Sequence, residues 1–201
     1  MKTTRRRALL LLFLTSSFVI CHSSFLHAAD PATFTVGTFT FKRPASFAWT
    51  PVNPSGMRKA QLKFADPANP SGPGADIVFF HFGPGQGGGV DANISRWVGQ
   101  FAPDADKKIE PVVENAMVSG TKVTRVRVEH GTFSSGMPGG PTTPLADYGL
   151  QGAILESSQG DVFIKMTGPA AVVKAAAADF ESLVTSPLGA GGAGAGSKAT
   201  P

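Results

Sequence analysis

The residues with the most chemical promise form one short run. Phe82 is followed by Gly83-Pro84-Gly85-Gln86-Gly87-Gly88, with Asp91 just beyond. The run satisfies G-x-G-x-x-G, a spacing that lets backbone N–H groups approach a pyrophosphate. It follows an apolar stretch that reads as a strand and precedes one that reads as a helix. Asp104 and Asp106 fall about 20 residues on, where a dinucleotide fold keeps its ribose-binding acid. Three features argue against a nucleotide. The pattern downstream is one of hairpins, not a parallel βαβ unit. Gly89 and Val90 follow Gly88, so a phosphate loop would lack its lysine. Asp91 is a candidate N-cap that would occupy the helix N–H groups and repel a phosphate. Gly83, Gly85, Gln86, Gly87, Gly88 and Asp91 therefore read as a structural or partner-facing loop, with an anion or small-ligand site as the alternative.

Other chemistry is thin. Cys21 is the sole cysteine, and beyond residue 29 the only histidines are His81 and His130. Thiol catalysis, cysteine zinc sites and disulfide frameworks are excluded from the body of the chain. Neither histidine sits in H-x-E or H-E-x-x-H, so no metal and no cofactor is expected. No serine lies in G-x-S-x-G. Ser134-Ser135-Gly136 and Ser157-Ser158 fall in turns. An enzyme is the third reading, behind a binding or accessory module and a ligand carrier.

Charge narrows the partners. The 201 residues carry +4, but Lys2, Arg5, Arg6 and Arg7 supply the whole surplus, and the rest balances 14 Lys+Arg against 14 Asp+Glu. A nucleic-acid binder carries a clustered basic surplus, so that class is set aside. The basic start, the apolar Ala8–Ile20 and Ala28-Ala29 before Asp30 make residues 1–29 a signal peptide, too short in its apolar core to span a bilayer. Ile20 before Cys21 argues against lipidation, which wants a small residue there. Thr4–Leu10 also resembles a twin-arginine signal, although the strongly apolar core favours the general route. The expectation is an exported protein, periplasmic or secreted, with no stable membrane span after cleavage. Its expected partner is another envelope or extracellular protein.

Residues 30–186 read as one domain and 187–201 as a disordered Gly/Ala-rich tail. Alternation places strands at Thr38–Lys42 and Arg58–Phe64. Ile77–Phe82 is apolar on both faces, as in a central strand covered on both sides. A helix is expected over Asp91–Ala102, with Ile94, Trp97, Val98 and Phe101 as its buried stripe and Arg96 off it. Two hairpins follow: Val112–Val118 with Thr121–His130 through Ser119-Gly120, and Tyr148–Glu156 with Val162–Thr167. A last helix opens at Gly168-Pro169 and presents Val173, Phe180 and Val184. Strands, helix, hairpins and helix in that order give an α+β fold: a single antiparallel sheet covered by helices.

Two stretches carry a resemblance. Phe39-Thr40-Phe41-Lys42-Arg43-Pro44 with Trp49 close behind resembles the opening of PsbP-like domains. Phe163-Ile164-Lys165-Met166-Thr167-Gly168-Pro169, running into a helix with Phe180 and Leu183, resembles their close. The element order is similar over nearly all of residues 33–186. The Phe82–Gly88 loop, with Asn93, Arg96-Trp97 and Gln100-Phe101, also resembles a group of uncharacterised exported bacterial proteins. The PsbP resemblance implies a PsbP-like fold and, by analogy alone, a protein-binding role.

Overall fold

The computed structural model describes residues 30–53, 56–103, 108–134 and 143–189. The expected leader, Asp104, Asp106, Ser135, Gly136 and the tail from residue 190 lie outside them. The chain begins with a hairpin of β1 (Thr33–Val36) and β2 (Phe39–Lys42), then β3 (Phe47–Trp49), β4 (Arg58–Phe64) and β5 (Ala75–His81). Helix α1 (Val90–Val98) leads into a two-residue strand, β6 (Phe101–Ala102). Next come β7 (Val112–Val118), β8 (Thr121–Phe133), β9 (Leu145–Leu155) and β10 (Val162–Pro169). Helices α2 (Ala170–Ala175) and α3 (Ala177–Thr185) and a 3-10 turn at Ser186–Leu188 close the described chain.

The α+β reading holds, but the single sheet does not. There are two: a two-stranded sheet of β1 and β2, and an eight-stranded sheet ordered β3-β4-β5-β10-β9-β8-β6, with β7 also paired to β8. The separation has a local cause. Pro44 ends β2, and the bend that follows lets β3 join β4 while β1–β2 lies across the main sheet. Every pairing among the described strands is antiparallel. That topology removes the parallel βαβ setting a dinucleotide loop needs.

Both hairpins form as their patterns predict. Ser119 and Gly120 hold φ of 48° and 82°, the positive pair that a two-residue type I′ turn requires. The helices differ from expectation. The α1 helix ends at Val98, and Phe101 belongs to β6, where its ring packs on Phe133 at 5.1 Å. Pro169 ends β10, and the last helix is split at Ala176 into α2 and α3. Pro187 and Leu188 are buried, so packing runs two residues past the expected edge of the tail.

One face of the large sheet is dry. Leu62, Ile77, Phe79, Ile164 and Met166 are fully buried beneath α2, α3 and the β1–β2 hairpin, with Phe41, Val173, Phe180 and Leu183 pressed on them. Arg125 on β8 reaches Glu181 on α3 with a two-bond fork of 2.9 and 2.6 Å. The opposite face is covered only over β8, β9 and β10, by α1 and the residues after it. There Ile94, Trp97 and Phe101 pack on Val126, Val128, Leu150, Ile154 and Phe163. Val98, expected in the stripe, is only partly buried at its edge. Trp97 lies so close to β9 that a Cβ on Gly152 would meet its ring at 2.6 Å.

Candidate functional site

The uncovered part of that second face is a groove. Strand alternation puts Phe163, Lys165 and Thr167 of β10 on it, beside Val78 and Phe80 of β5. The register pairs Phe163 with Phe80, and Lys165 with Val78. Ile77–Phe82 was expected to be covered on both sides. It is covered on one: Ile77 and Phe79 are fully buried, whereas Val78 and Phe80 are half-exposed. Helix α1 starts beyond the end of β5 and leads to β6 beside β8, so its apolar side packs over β8, β9 and β10. Its Asn93, Arg96 and Trp97, with Gln100 just after it, wall the groove instead.

Two adjoining concavities make up the groove. One, of about 350 Å³, is lined by Met57, Phe80, Phe82, Asn93, Arg96, Trp97, Gln100, Phe163 and Lys165. The other, of about 530 Å³, includes Arg58, Asp76, Val78, Phe133, Leu145, Tyr148 and Thr167, and shares Phe80, Gln100 and Lys165 with the first. Stacked aromatic rings line it. Phe80 and Phe82 are parallel at 6.3 Å, and Phe133 and Tyr148 at 5.9 Å.

Lys165 stands where the two concavities meet, and only 9% of it is exposed. Its ammonium donates to Gln100 Oε1 and lies 5.1 Å from the centre of the Phe133 ring. No carboxylate pairs with it among the described residues. Burial, aided by the Arg96 guanidinium, pushes its pKa from 10.5 down to about 8. A charge without an acid is costly indoors. The amide and the ring face meet part of that cost. Arg96 likewise has no acid; it donates to Asn93 Oδ1. Asp76 is the one carboxylate on the lining, and it accepts from Gln61 at 3.4 Å.

The glycine loop stands at the rim. Gly83, Gly85, Gly87 and Gly88 all hold positive φ, between 67° and 88°, and none of them lines either of these two concavities. A Cβ on Gly87 would meet Phe82 at 2.7 Å and Phe163 at 2.9 Å. Gln86 is exposed and its N–H closes a turn onto Gly83 O at 3.2 Å. Asp91 does not cap α1: the cap is Gly89, without a side-chain bond, and Asp91 is exposed in the first turn. Asn93 ties loop to helix instead. It is 1% exposed, and its amide donates to Gly87 O at 2.9 Å and Gly89 O at 3.0 Å. A buried amide can satisfy donor and acceptor at once, which an aspartate cannot.

The loop thus sets where α1 starts and how Phe82 and Arg96 stand over the groove. Sequence reading singled out the loop and passed over Lys165, Phe80 and Gln100. The signal was a lone lysine inside the apolar Phe163–Met166 run, opposite a strand apolar on both faces.

The histidines stay apart. His81 contacts Gln159 O at 3.2 Å, and His130 lines a separate concavity with Asp147 and Lys174. Strands β9 and β10 stand between β8 and β5. Among the described residues no three His, Cys, Asp or Glu side chains gather to hold a metal.

The chain is similar to cyanobacterial PsbP. The solution structure of that protein, CyanoP from Synechocystis sp. PCC 6803, matches with a TM-score of 0.46 at 9% identity, covering 79% of this chain and 94% of its own. This likeness is to the family that the opening and closing stretches resemble. A second likeness is to the crystal structure of PA94, a Pseudomonas aeruginosa protein of unknown function. Its TM-score is 0.37 at 10% identity, covering 76% of this chain and 92% of the other. No protein-family model and no curated protein matches the sequence. Among the described residues no helix is long and apolar enough to cross a membrane.

Proposed function

We propose that this chain is an exported, non-catalytic binding module, and that it binds an anionic group with an apolar body in the groove beside α1. One observation carries the reading: Lys165 holds a buried charge with no acid paired to it among the described residues, between two concavities floored by aromatic rings. A ligand carboxylate or phosphate would supply the missing counter-charge and would meet Arg96 from the helix side. Its acyl or aryl body would cover Val78, Phe80 and Phe82 and remove them from water. The glycine loop is scaffold in this account, holding α1 at the distance the ligand needs. The same chemistry serves a free amphipathic acid and an acid presented by an envelope protein.

Titration of the purified chain with alkyl and aryl carboxylates tests this, read by the fluorescence of Trp97 on the groove wall. Saturable binding should weaken at least tenfold in Lys165→Met, the loss of one charge-assisted contact. Binding unchanged in that variant would end the Lys165 reading. If inorganic phosphate binds at micromolar concentration, and the joint Gly85, Gly87 and Gly88 to Ala variant loses it, the loop itself is the anion site. If no free acid binds, the protein-presented source is left, and cross-linking from a photoreactive residue at Met57, which is 73% exposed, identifies it.

A further inference from the structure

Strand β7 is the most exposed of the described strands. Its neighbour on one side is β8. Among the described residues it has no partner on the other side. It is exposed almost throughout: Val112 is 38% exposed, Val113 44% and Met117 67%. Open edges are normally blunted by lysine, proline or a bulge. Here Val112–Val118 reads Val-Val-Glu-Asn-Ala-Met-Val, regular and bulge-free, with one charge. That charge, Glu114, lies directly across from Arg125 of its own hairpin.

The turn fixes which backbone groups are free. A two-residue turn closes on a hydrogen-bonded pair, here Val118 with Thr121. Alternation then turns the N–H and C=O of residues 112, 114, 116 and 118 toward β8. Those of Val113, Asn115 and Met117 point to the open edge. This free set is symmetric about Asn115, and the apolar side chains follow it, Val112 mirroring Val118 and Val113 mirroring Met117, while Glu114 mirrors Ala116.

We propose that two copies of the chain join edge to edge through β7, antiparallel and centred on Asn115, so that their eight-stranded sheets become one. In that register Asn115 exchanges both backbone bonds with Asn115 of the second copy, and Val113 does so with Met117 on either side. Apolar side chains meet apolar side chains. Glu114 faces Ala116 of the other copy, so no like charges are opposed. An edge offered to a foreign strand has no need of this symmetry about its own midpoint. A twofold pair needs residue i to suit residue j and j to suit i, as Val113 suits Met117 and Asn115 suits itself.

A charge-swap series tests it by sedimentation of the purified native chain. The wild type should dimerise reversibly, with a dissociation constant of about 1–100 μM for so small an interface. Val113→Lys with Met117→Lys opposes like charges at both ends and should weaken dimerisation by about tenfold or more. Val113→Lys with Met117→Glu sets opposite charges face to face and should recover it to within about threefold of wild type. Within one copy residues 113 and 117 are too far apart along the strand to pair, so the recovery reads only the contact between copies. A wild type that stays monomeric to about 1 mM overturns the proposal. So does a Lys/Glu variant as weak as the Lys/Lys variant; an edge that then binds an extended peptide serves a foreign strand instead.

Discussion

The two faces of the large sheet are made by alternate residues of the same strands, and they end in opposite conditions. Phe79 is fully buried under α2, α3 and the β1–β2 hairpin, while Phe80, its neighbour, is half-exposed in the groove. Ile164 is fully buried; next to it, Lys165 holds a charge indoors without an acid. The helix face is organised for stability. The groove face keeps apolar surface wet and a cation desolvated, both of which stability alone would remove. The proposed binding site rests on that contrast and not on the glycine loop.

Four measurements would break or sharpen the contrast. The largest effect belongs to the dry face. Phe79→Ala should cost about 3–5 kcal/mol, the usual range for deleting a buried aromatic, and Trp97→Ala should cost as much because its ring is closed on Gly152. Denaturant unfolding checks both. A wild-type midpoint for Phe79→Ala would mean the helix face is not the core.

Lys165→Met comes next and runs the other way. The folded pKa of Lys165 is about 8 against an ordinary 10.5, so below pH 8 both states hold the proton and the burial cost is present in full. Between pH 8 and 10.5 the folded chain releases it first, and stability rises through that window, by about 3 kcal/mol at most. The methionine variant should be more stable than wild type at pH 7 and should lose this rise. Ligand affinity should fall as pH climbs past 8, where Lys165 loses its charge and Arg96 is left to meet the acid. A wild-type stability that is level from pH 8 to 10.5 would place the lysine in water.

Gly87→Ala should cost about 1–3 kcal/mol, from positive φ and from the clash with Phe82 and Phe163. Gly85→Ala, with nothing within 4 Å of its Cβ, should cost only the backbone part. Equal losses would show that the loop packs on nothing. Smallest is Phe80→Ala: a stability change below about 1 kcal/mol beside a clear loss of carboxylate binding. A large stability loss there would make the groove floor ordinary core.

Much of the fold could be read from alternation and turn residues, because those patterns act locally. Both hairpins, the Trp97 stripe and the α+β order followed from them. The short strands β1 and β3 did not, since three or four residues are too few to show an alternation, and β3 is placed only by its pairing with β4. The second sheet was hidden for the same reason: Pro44 marks a break, not where the chain goes next. Asp91 was read as a cap because aspartate caps helices in general, but the neighbourhood of Gly87 and Gly89 presents carbonyls, and an amide, Asn93, answers them. The groove could not be seen because it is an absence. Ile77–Phe82 has the hydrophobicity of a doubly covered strand, and only the placing of α1 over β8, β9 and β10 shows that the second cover is missing.

The 3-10 turn at the end of the described chain also bears on how the protein comes to fold. Ser186 Oγ accepts from the Lys42 N–H at 2.9 Å and donates to Leu183 O at 2.8 Å, so it joins the first hairpin to the last helix. Phe39 and Phe41 on that hairpin are buried in the same cluster as Leu183 and Leu188. The first strands to emerge during synthesis are therefore covered by the last residues of the domain. Contacts of such long sequence separation close late, and a chain still missing its final helix leaves those phenylalanines in water. Folding of these strands is therefore expected to wait until the final helix has been made.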